Sequence, residues 1–432
     1  MKKINIGLIG FGNVGAGVVR ILRERRSLIA ERAGFEIDIR RICDKDITTR
    51  RKVKVNKELL TTRAGDIIND PQIDIVVELI GGTQAAGEFI SESFKKGKHV
   101  VTANKALLAH DGPQVFAQAA DRGKSIYFEA SVGAGIPLIK SLREGLIANR
   151  FSSIYGILNG TSNFVLSRMA AENCSFQSAL RDAKSRGFAE ANPTLDIEGT
   201  DTAHKLVVLT YLTFGKFVPL KDVFVEGIAA VTLSDILYAE QMGYEIKLLA
   251  VAKKVHDELE VRVHPTLVPK SHLLSSVDGV FNAIYASCDL AGEMLFYGPG
   301  AGQLSAASAV VADIVDLTQD IKAGLFRQTL NIASDKSVRK LRPIKDHVSR
   351  YYLRLMVSDE PGVLARIAGI LAKYKISIAS VSQKERGKSK VVPVVMILHD
   401  AREKEFRSAL TLINKLKIVK EPAVAVRIED ME

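Results

Sequence analysis

Three observations predict an α/β protein. Short Ile- and Val-rich runs alternate with helical segments over the first 130 residues, a glycine-rich loop (Gly10-Phe-Gly12-Asn-Val-Gly15) follows the first run, and the C-terminal part reads strand–helix–strand–strand–helix–strand. The expected parts are a Rossmann-type nucleotide-binding domain, a mixed α+β domain, and a C-terminal ferredoxin-like domain.

In chain order, INIGLIG (4–10), IDIRRIC (37–43), IDIVVELIG (73–81), HVVTAN (99–104) and SIYFEA (125–130) read as strands bounded by turn residues. Segments such as Ala85–Lys96 and Gln114–Arg122 have helical composition, so the region reads as βαβ units around a mostly parallel sheet. Further on, LSDILYAEQM reads as a helix, whereas KLLAVAKKV, ELEVRVHPTLV and VFNAIYASC read as strands of one sheet. A helix follows Gly302, and the polar, basic stretch after it reads as a linker. The last part runs from the strand YYLRLMV (351–357), through an amphipathic helix with Val363, Leu364, Ile367, Ile370, Leu371 and Tyr374 on one face, to the strand AVAVRI. The expected boundaries are 1–135 for the nucleotide domain, completed by 302–322, then 136–300, a linker at 323–350, and 351–432.

A chain of 432 residues with 47% hydrophobic and 25% charged residues suits a soluble protein of two or three domains. No apolar run has the length of a membrane span. Three scattered cysteines give neither a disulfide framework nor zinc spacing, and a reducing cytoplasm fits. The net charge of +11 raises nucleic-acid binding as a possibility. Yet residues 1–60 alone hold fifteen Lys/Arg against seven Asp/Glu, so the surplus gathers around the glycine loop. A phosphate-bearing small ligand accounts for it as well as a duplex does, and no helix-turn-helix, zinc or aromatic RNA-binding pattern supports the latter.

The glycine loop carries the first functional reading. Gly10, Gly12 and Gly15 permit a tight turn and close approach of a pyrophosphate to a helix N-terminus. Asp44, at the end of the second strand, suits a ribose 2′-hydroxyl. The surrounding Arg40, Arg41, Lys45, Arg50, Arg51 and Lys57 suit a 2′-phosphate, which tilts the reading towards NADP(H) with NAD(H) still open.

The second reading comes from residues 187–205, GFAEANPTLDIEGTDTAHK, where Glu190, Asp196, Glu198 and Asp201 precede Lys205 and the apolar run LVVLTYL. Asp201 and Lys205 share a helix face. A surface ion pair is the plain alternative, worth a few tenths of a kcal/mol. Against it, LVVLTYL leaves no polar face, and a helix apolar all round is buried. Polar groups carried into the interior must be paired or functional. A partly desolvated ammonium suits proton transfer, and carboxylates suit a cationic group such as an α-ammonium.

The run from Ala183 through Gly187-Phe188-Ala189, Asn192-Pro193, Asp196-Ile197, Gly199 and Asp201 to Lys205 resembles the signature of homoserine dehydrogenases. The resemblance extends to VVELIGG (76–82), TANKALL (102–108), EASVGAGIP (129–137) and NGTSNF (159–164). The C-terminal Asp359-Glu360-Pro361-Gly362-Val363-Leu364 resembles an ACT domain. No aspartokinase-like segment precedes the N-terminus, so the resemblance is to the single-function form.

The resemblance implies reversible hydride transfer between NAD(P)H and L-aspartate 4-semialdehyde, giving L-homoserine, in threonine, methionine and isoleucine biosynthesis. It implies Lys205 as proton donor, Lys105 facing cofactor and substrate, and Asp201 and Glu190 as substrate ligands supported by Asp196. It assigns Phe11, Asn13, Val14, Gly187 and Gly302 to the cofactor. It also implies a monovalent cation, sodium in most members, on oxygens of Glu129, Val132, Ala134 and Ile136; the residues alone read as an ordinary loop. A homo-oligomer is expected, with an amino-acid effector, L-threonine first, at the ACT module. A chain ending near Arg339 is expected to keep homoserine oxidation and lose threonine sensitivity. The rival reading is a silent nucleotide and amino-acid sensor of the same fold.

Overall fold

The computed structural model describes residues 3–51, 53–325, 337–383 and 390–431. The expected linker at 323–350 lies partly outside the described residues. The chain divides into two units of interrupted sequence: 1–151, 204–222 and 287–336 form one, and 152–203, 223–286 and 337–432 the other.

The first unit is organised by a six-stranded sheet in the order Leu60–Thr61, Glu36–Cys43, Lys3–Ile9, Ile75–Glu78, His99–Thr102 and Ile126–Tyr127. All five pairings are parallel. This is the doubly wound order, and it reverses at Lys3–Ile9, so a crevice opens beyond the C-terminal ends of the central strands. Those strands are apolar on both faces because helices cover both. Ile6, Leu8, Ile75 and Val77 share a core with Val18 and Val19 of the helix Asn13–Glu24 and with Val310, Ile314 and Leu317 of the helix Gln303–Ala323. Gly17 permits this packing, since a Cβ there would lie 2.9 Å from both Ala307 Cβ and the Gln303 carbonyl oxygen.

In the second unit a long antiparallel hairpin, Tyr244–Val255 with Glu258–Pro269, lies at the middle of a sheet. Phe151–Ile157 pairs with its first strand, and Val424–Ile428 pairs in parallel with its second. From there the sheet continues through Val348–Ser358, Val391–Arg402 and Ile378–Gln383, all antiparallel. With the helices Val363–Lys373 and Glu403–Asn414 these strands complete the expected βαββαβ pattern.

The C-terminal module is joined to the rest of the second unit through the sheet. Thr266 and Leu267 are in register with Arg427 and Ile428, so one sheet runs through both regions. Charged groups bridge the same seam. Arg262 Nη2 donates to Glu429 Oε2 at 2.7 Å, Arg427 Nη1 to Glu226 Oε2 at 2.9 Å, and Arg354 Nε to Asp235 Oδ1 at 2.6 Å. Ending the chain near Arg339 would remove one partner from each of these pairs.

Candidate active site

Glycine builds the nucleotide loop. Gly10 has φ +111, and a Cβ there would lie 2.7 Å from the Leu79 carbonyl; at Gly15 a Cβ would lie 2.1 Å from the Gly10 oxygen. Neither position admits a side chain, which fixes the tight turn. Gly12 differs: nothing lies within 4 Å of its Cβ position, and it begins the helix Asn13–Glu24 with no side-chain cap. A helix start without a side-chain cap, open beside its glycine, matches a pyrophosphate in charge and in space. The helix Gln303–Ala323 begins the same way at Gly302, φ +135, and Gln303 Nε2 donates to the Asn13 oxygen at 3.0 Å. Two helix starts are thereby tied together at the loop that carries Phe11, Asn13 and Val14.

Asp44 is largely engaged by the loop itself. Its Oδ2 accepts the Phe11 N–H at 2.6 Å and its Oδ1 the Asp46 N–H at 2.9 Å. Arg51 lies 3.7 Å from Oδ1, sits over the Phe11 ring at 5.5 Å, and donates from Nε to the Phe11 oxygen at 3.1 Å. Of the basic residues read around this strand end, Arg51 is placed against the loop, whereas Arg40 pairs with Gln72.

Lys105 opens the helix Lys105–Asp121 and is half-buried. Asn104 caps that helix by accepting the Leu107 N–H at 3.0 Å, and its Nδ2 donates to the Gly82 oxygen at 2.7 Å. Behind it lies Glu78, fully buried, accepting from Thr102 Oγ1 at 2.6 Å and from the Ile80 N–H at 2.7 Å. Burial pushes the Glu78 carboxyl up to about 7, against the pull of those hydrogen bonds.

The loop expected to hold a cation is buried at Glu129, Val132, Ala134 and Ile136. The Glu129 carboxylate is occupied by the Ile139 N–H at 2.7 Å and the Lys140 N–H at 2.8 Å, so its side chain is committed to the backbone. Gly133 and Ala134 are both left-handed, φ +75 and +50, and for Ala134 that conformation is strained. Such a turn re-aims successive carbonyls, and the residues fit a cation held by backbone oxygens. Among the described residues no cluster of three His, Cys, Asp or Glu side chains offers a metal site. Asp313, buried nearby, accepts the Glu129 N–H at 2.8 Å, and burial beside Glu129 holds its carboxyl well above the usual range.

The carboxylates of the signature lie on three pieces of chain. Gly187, φ +73, ends the helix Phe176–Ser185, and Glu190 just after it is exposed. Asp196 lies on the short turn Thr194–Ile197, and Asp201 in the first turn of the helix Thr200–Phe214. Gly199, φ +85, joins the two with its Cβ position 3.1 Å from Val225 Cγ1, a place that only glycine fills without strain. Lys205 is one turn beyond Asp201; both are half-buried, and Leu206 to Thr210 are buried throughout. Asn159 brings Asp196 and Asp201 together: its Nδ2 donates to Asp196 Oδ1 at 2.7 Å and to Asp201 Oδ2 at 2.9 Å. Asn159 stands in the segment NGTSNF, which the resemblance includes without giving this residue a role; it also caps the helix Gly160–Glu172, accepting the Ser162 N–H at 2.8 Å.

Comparison with known proteins decides the family. Residues 137–315 match the family model "Homoserine dehydrogenase", residues 10–129 "Homoserine dehydrogenase, NAD binding domain", and residues 351–417 "ACT domain". A homoserine dehydrogenase of Neisseria gonorrhoeae is 42% identical over the full length of both chains. The chain belongs to the homoserine dehydrogenase family. The crystal structure of a homoserine dehydrogenase from Thiobacillus denitrificans superposes with a TM-score of 0.91 at 41% identity, covering 100% of this chain and 99% of that one. A hyperthermophilic archaeal homoserine dehydrogenase in complex with NADPH matches with a TM-score of 0.62 at 26% identity, over 76% of this chain and all of that one. The chain is an NAD(P)-binding oxidoreductase of this type, and the silent-sensor alternative gains no support from these relatives.

Proposed function

We propose that Lys205, Asp201, Asp196 and Glu190 form the substrate end of the reaction that interconverts L-homoserine and L-aspartate 4-semialdehyde. The observation that carries this reading is the placing of Asp201 and Lys205 one turn apart at the half-buried start of a helix whose next turns are core. In the reductive direction negative charge develops on the aldehyde oxygen, and the Lys205 ammonium stabilises and protonates it; in the oxidative direction Lys205 takes that proton back. Lys105 adds a second cationic group facing substrate and cofactor. Asp201 and Glu190 receive the substrate ammonium through charge-assisted hydrogen bonds, and Asp196 supports them. The nicotinamide, when bound, supplies or accepts the hydride; Gly10, Phe11, Gly12, Asn13, Val14, Gly15, Gly187 and Gly302 would hold its dinucleotide.

NADP(H) is the proposed preference, supported by the Arg51 guanidinium beside the engaged Asp44 and by the NADPH complex of the archaeal relative. A monovalent cation, sodium by the family resemblance, is assigned to the oxygens of Glu129, Val132, Ala134 and Ile136. The ACT module is assigned an amino-acid effector, L-threonine first, as an end product of the threonine, methionine and isoleucine pathways. A homo-oligomer is proposed, with the strand Gly292–Pro299, whose Leu295 and Tyr297 are exposed, as a candidate surface for a second copy. The cytoplasm is the proposed location; among the described residues no helix is long and apolar enough to cross a membrane. Replacing Asp201 or Asp196 by Asn tests the site: the KM for L-homoserine should rise about tenfold or more, the scale of one lost charge-assisted hydrogen bond. An unchanged KM in both variants would refute the assignment.

A further inference from the structure

We infer that Asn159 is a positioning residue for the substrate carboxylates, holding Asp196 and Asp201 as one unit. The inference rests on the role proposed above for those two residues. Asn159 is buried, and every polar group of its amide is used. Because its Oδ1 faces the Ser162 N–H, a donor, the NH2 group must face the two carboxylates, which fixes the orientation of the amide. Its nitrogen lies 2.7 and 2.9 Å from oxygens of two different aspartates, and it has one hydrogen for each. The two hydrogens of an amide diverge by roughly 120°, which sets the bonded oxygens about 5 Å apart. Two anions at that separation repel. A neutral donor shared between them offsets the repulsion without supplying a competing cation, and so holds Asp196 in its supporting place beside Asp201.

The chain on both sides of Asn159 is held in several places. Leu158 accepts Asn282 Nδ2 at 3.0 Å, and a Cβ on Gly160 would lie 2.8 Å from the Val280 oxygen. Asn163 Nδ2 donates to the Val277 oxygen at 3.0 Å, and Ser162 Oγ donates to the Asp196 backbone oxygen at 2.8 Å. The end of the strand Phe151–Ile157 and the start of the helix Gly160–Glu172 therefore fix Asn159, and Asn159 fixes two residues 37 and 42 positions away. Misplacing a binding group by an ångström costs far more than losing a contact on a mobile surface.

The test is Asn159→Ser in the full chain, since Ser caps a helix about as well as Asn but cannot donate to both carboxylates. The expected result is a tenfold or greater rise in the KM for L-homoserine, with kcat changed less than threefold and with cofactor Kd and melting temperature near wild type. Asn159→Asp, isosteric and also a good cap, is the second variant; its added charge should lower kcat/KM at least as much. A KM within threefold of wild type in both folded variants would overturn the inference. So would loss of stability in both with normal KM in the folded protein, because Asn159 would then act only as a cap. Asp196→Asn and Asp201→Asn serve as controls. If they too leave KM unchanged, it is the substrate site that is wrongly placed; if they raise it while the Asn159 variants do not, only this inference fails.

Discussion

Arg354→Met should destabilise the second unit severely although Arg354 lies in the ACT region. Its guanidinium grips Asp235 with two bonds, Nε to Oδ1 at 2.6 Å and Nη2 to Oδ2 at 3.1 Å, and Asp235 has no exposed surface. Tyr352 donates to the same Oδ1 at 2.9 Å, and burial beside Asp235 drives the Tyr352 phenol far above its usual range. Removing one partner of such a pair costs about 3–5 kcal/mol, because the remaining charge stays buried. The lower end applies here, since Tyr352 and Thr232 still reach Asp235. For a unit of roughly two hundred residues, about 3 kcal/mol corresponds to a drop in melting temperature of about 6–12 °C. Circular dichroism melts on the full chain measure it, and the double variant Asp235→Leu/Arg354→Met should recover part of the loss. A drop below about 2 °C would refute the view that this seam makes one cooperative unit of the two regions. The same reasoning predicts that a chain ending near Arg339 loses activity.

Glu78→Gln should gain on the wild type as pH rises. With its carboxyl pushed up to about 7 from the ordinary 4.5, Glu78 contributes stability that is complete below about pH 4.5 and lost as pH rises through about 7. The difference in melting temperature, small at pH 5, should therefore grow by pH 8; a difference independent of pH would contradict the burial account. Arg51→Ala should weaken NADP binding about tenfold or more and leave NAD within about threefold, the loss expected of one charge-assisted contact. A wild-type Kd lower for NAD than for NADP, by fluorescence titration, would show instead that Asp44 decides. L-Threonine added to the full-length protein should inhibit with a coupling of roughly 1–3 kcal/mol, and rates indifferent to threonine, isoleucine and methionine would remove the regulatory assignment.

Much of this was legible in the residues. Gly10 and Gly15 announce their turn because only glycine fits there, and the alternation of short apolar runs foretells the parallel sheet. Asp201 and Lys205 could be paired because helical spacing is local. What escaped depends on contacts distant in sequence. Glu260, Arg262, His264 and Thr266 alternate with Leu259, Val261 and Val263, a pattern that ordinarily marks a strand with one wet face. All seven are buried. Burial beside Arg427 and Arg262 holds His264 well below its usual range, in the neutral form. That polar face meets charged groups of the C-terminal region, His347 at 3.1 Å from Glu260 and Glu429 accepting from Arg262 at 2.7 Å, and nothing within ELEVRVHPTLV signals those partners. Asp235 was hidden in the same way, its capping of the helix Leu233–Gln241 concealing its bond to Arg354. Asp44 shows what its position in the sequence leaves out: the fold also engages its oxygens with the Phe11 and Asp46 N–H groups.

The central claim is that Lys205 carries the proton in hydride transfer, and single-turnover oxidation of L-homoserine tests it most directly. Enzyme in excess over NADP is mixed with saturating L-homoserine, and the appearance of reduced nicotinamide is followed for wild type and Lys205→Ala. The account predicts that the variant binds NADP normally and forms reduced cofactor about a hundredfold more slowly or worse, the scale of a lost general acid–base group. A variant that transfers hydride at the wild-type rate would contradict the account and leave Asp201 and Lys205 as a structural pair.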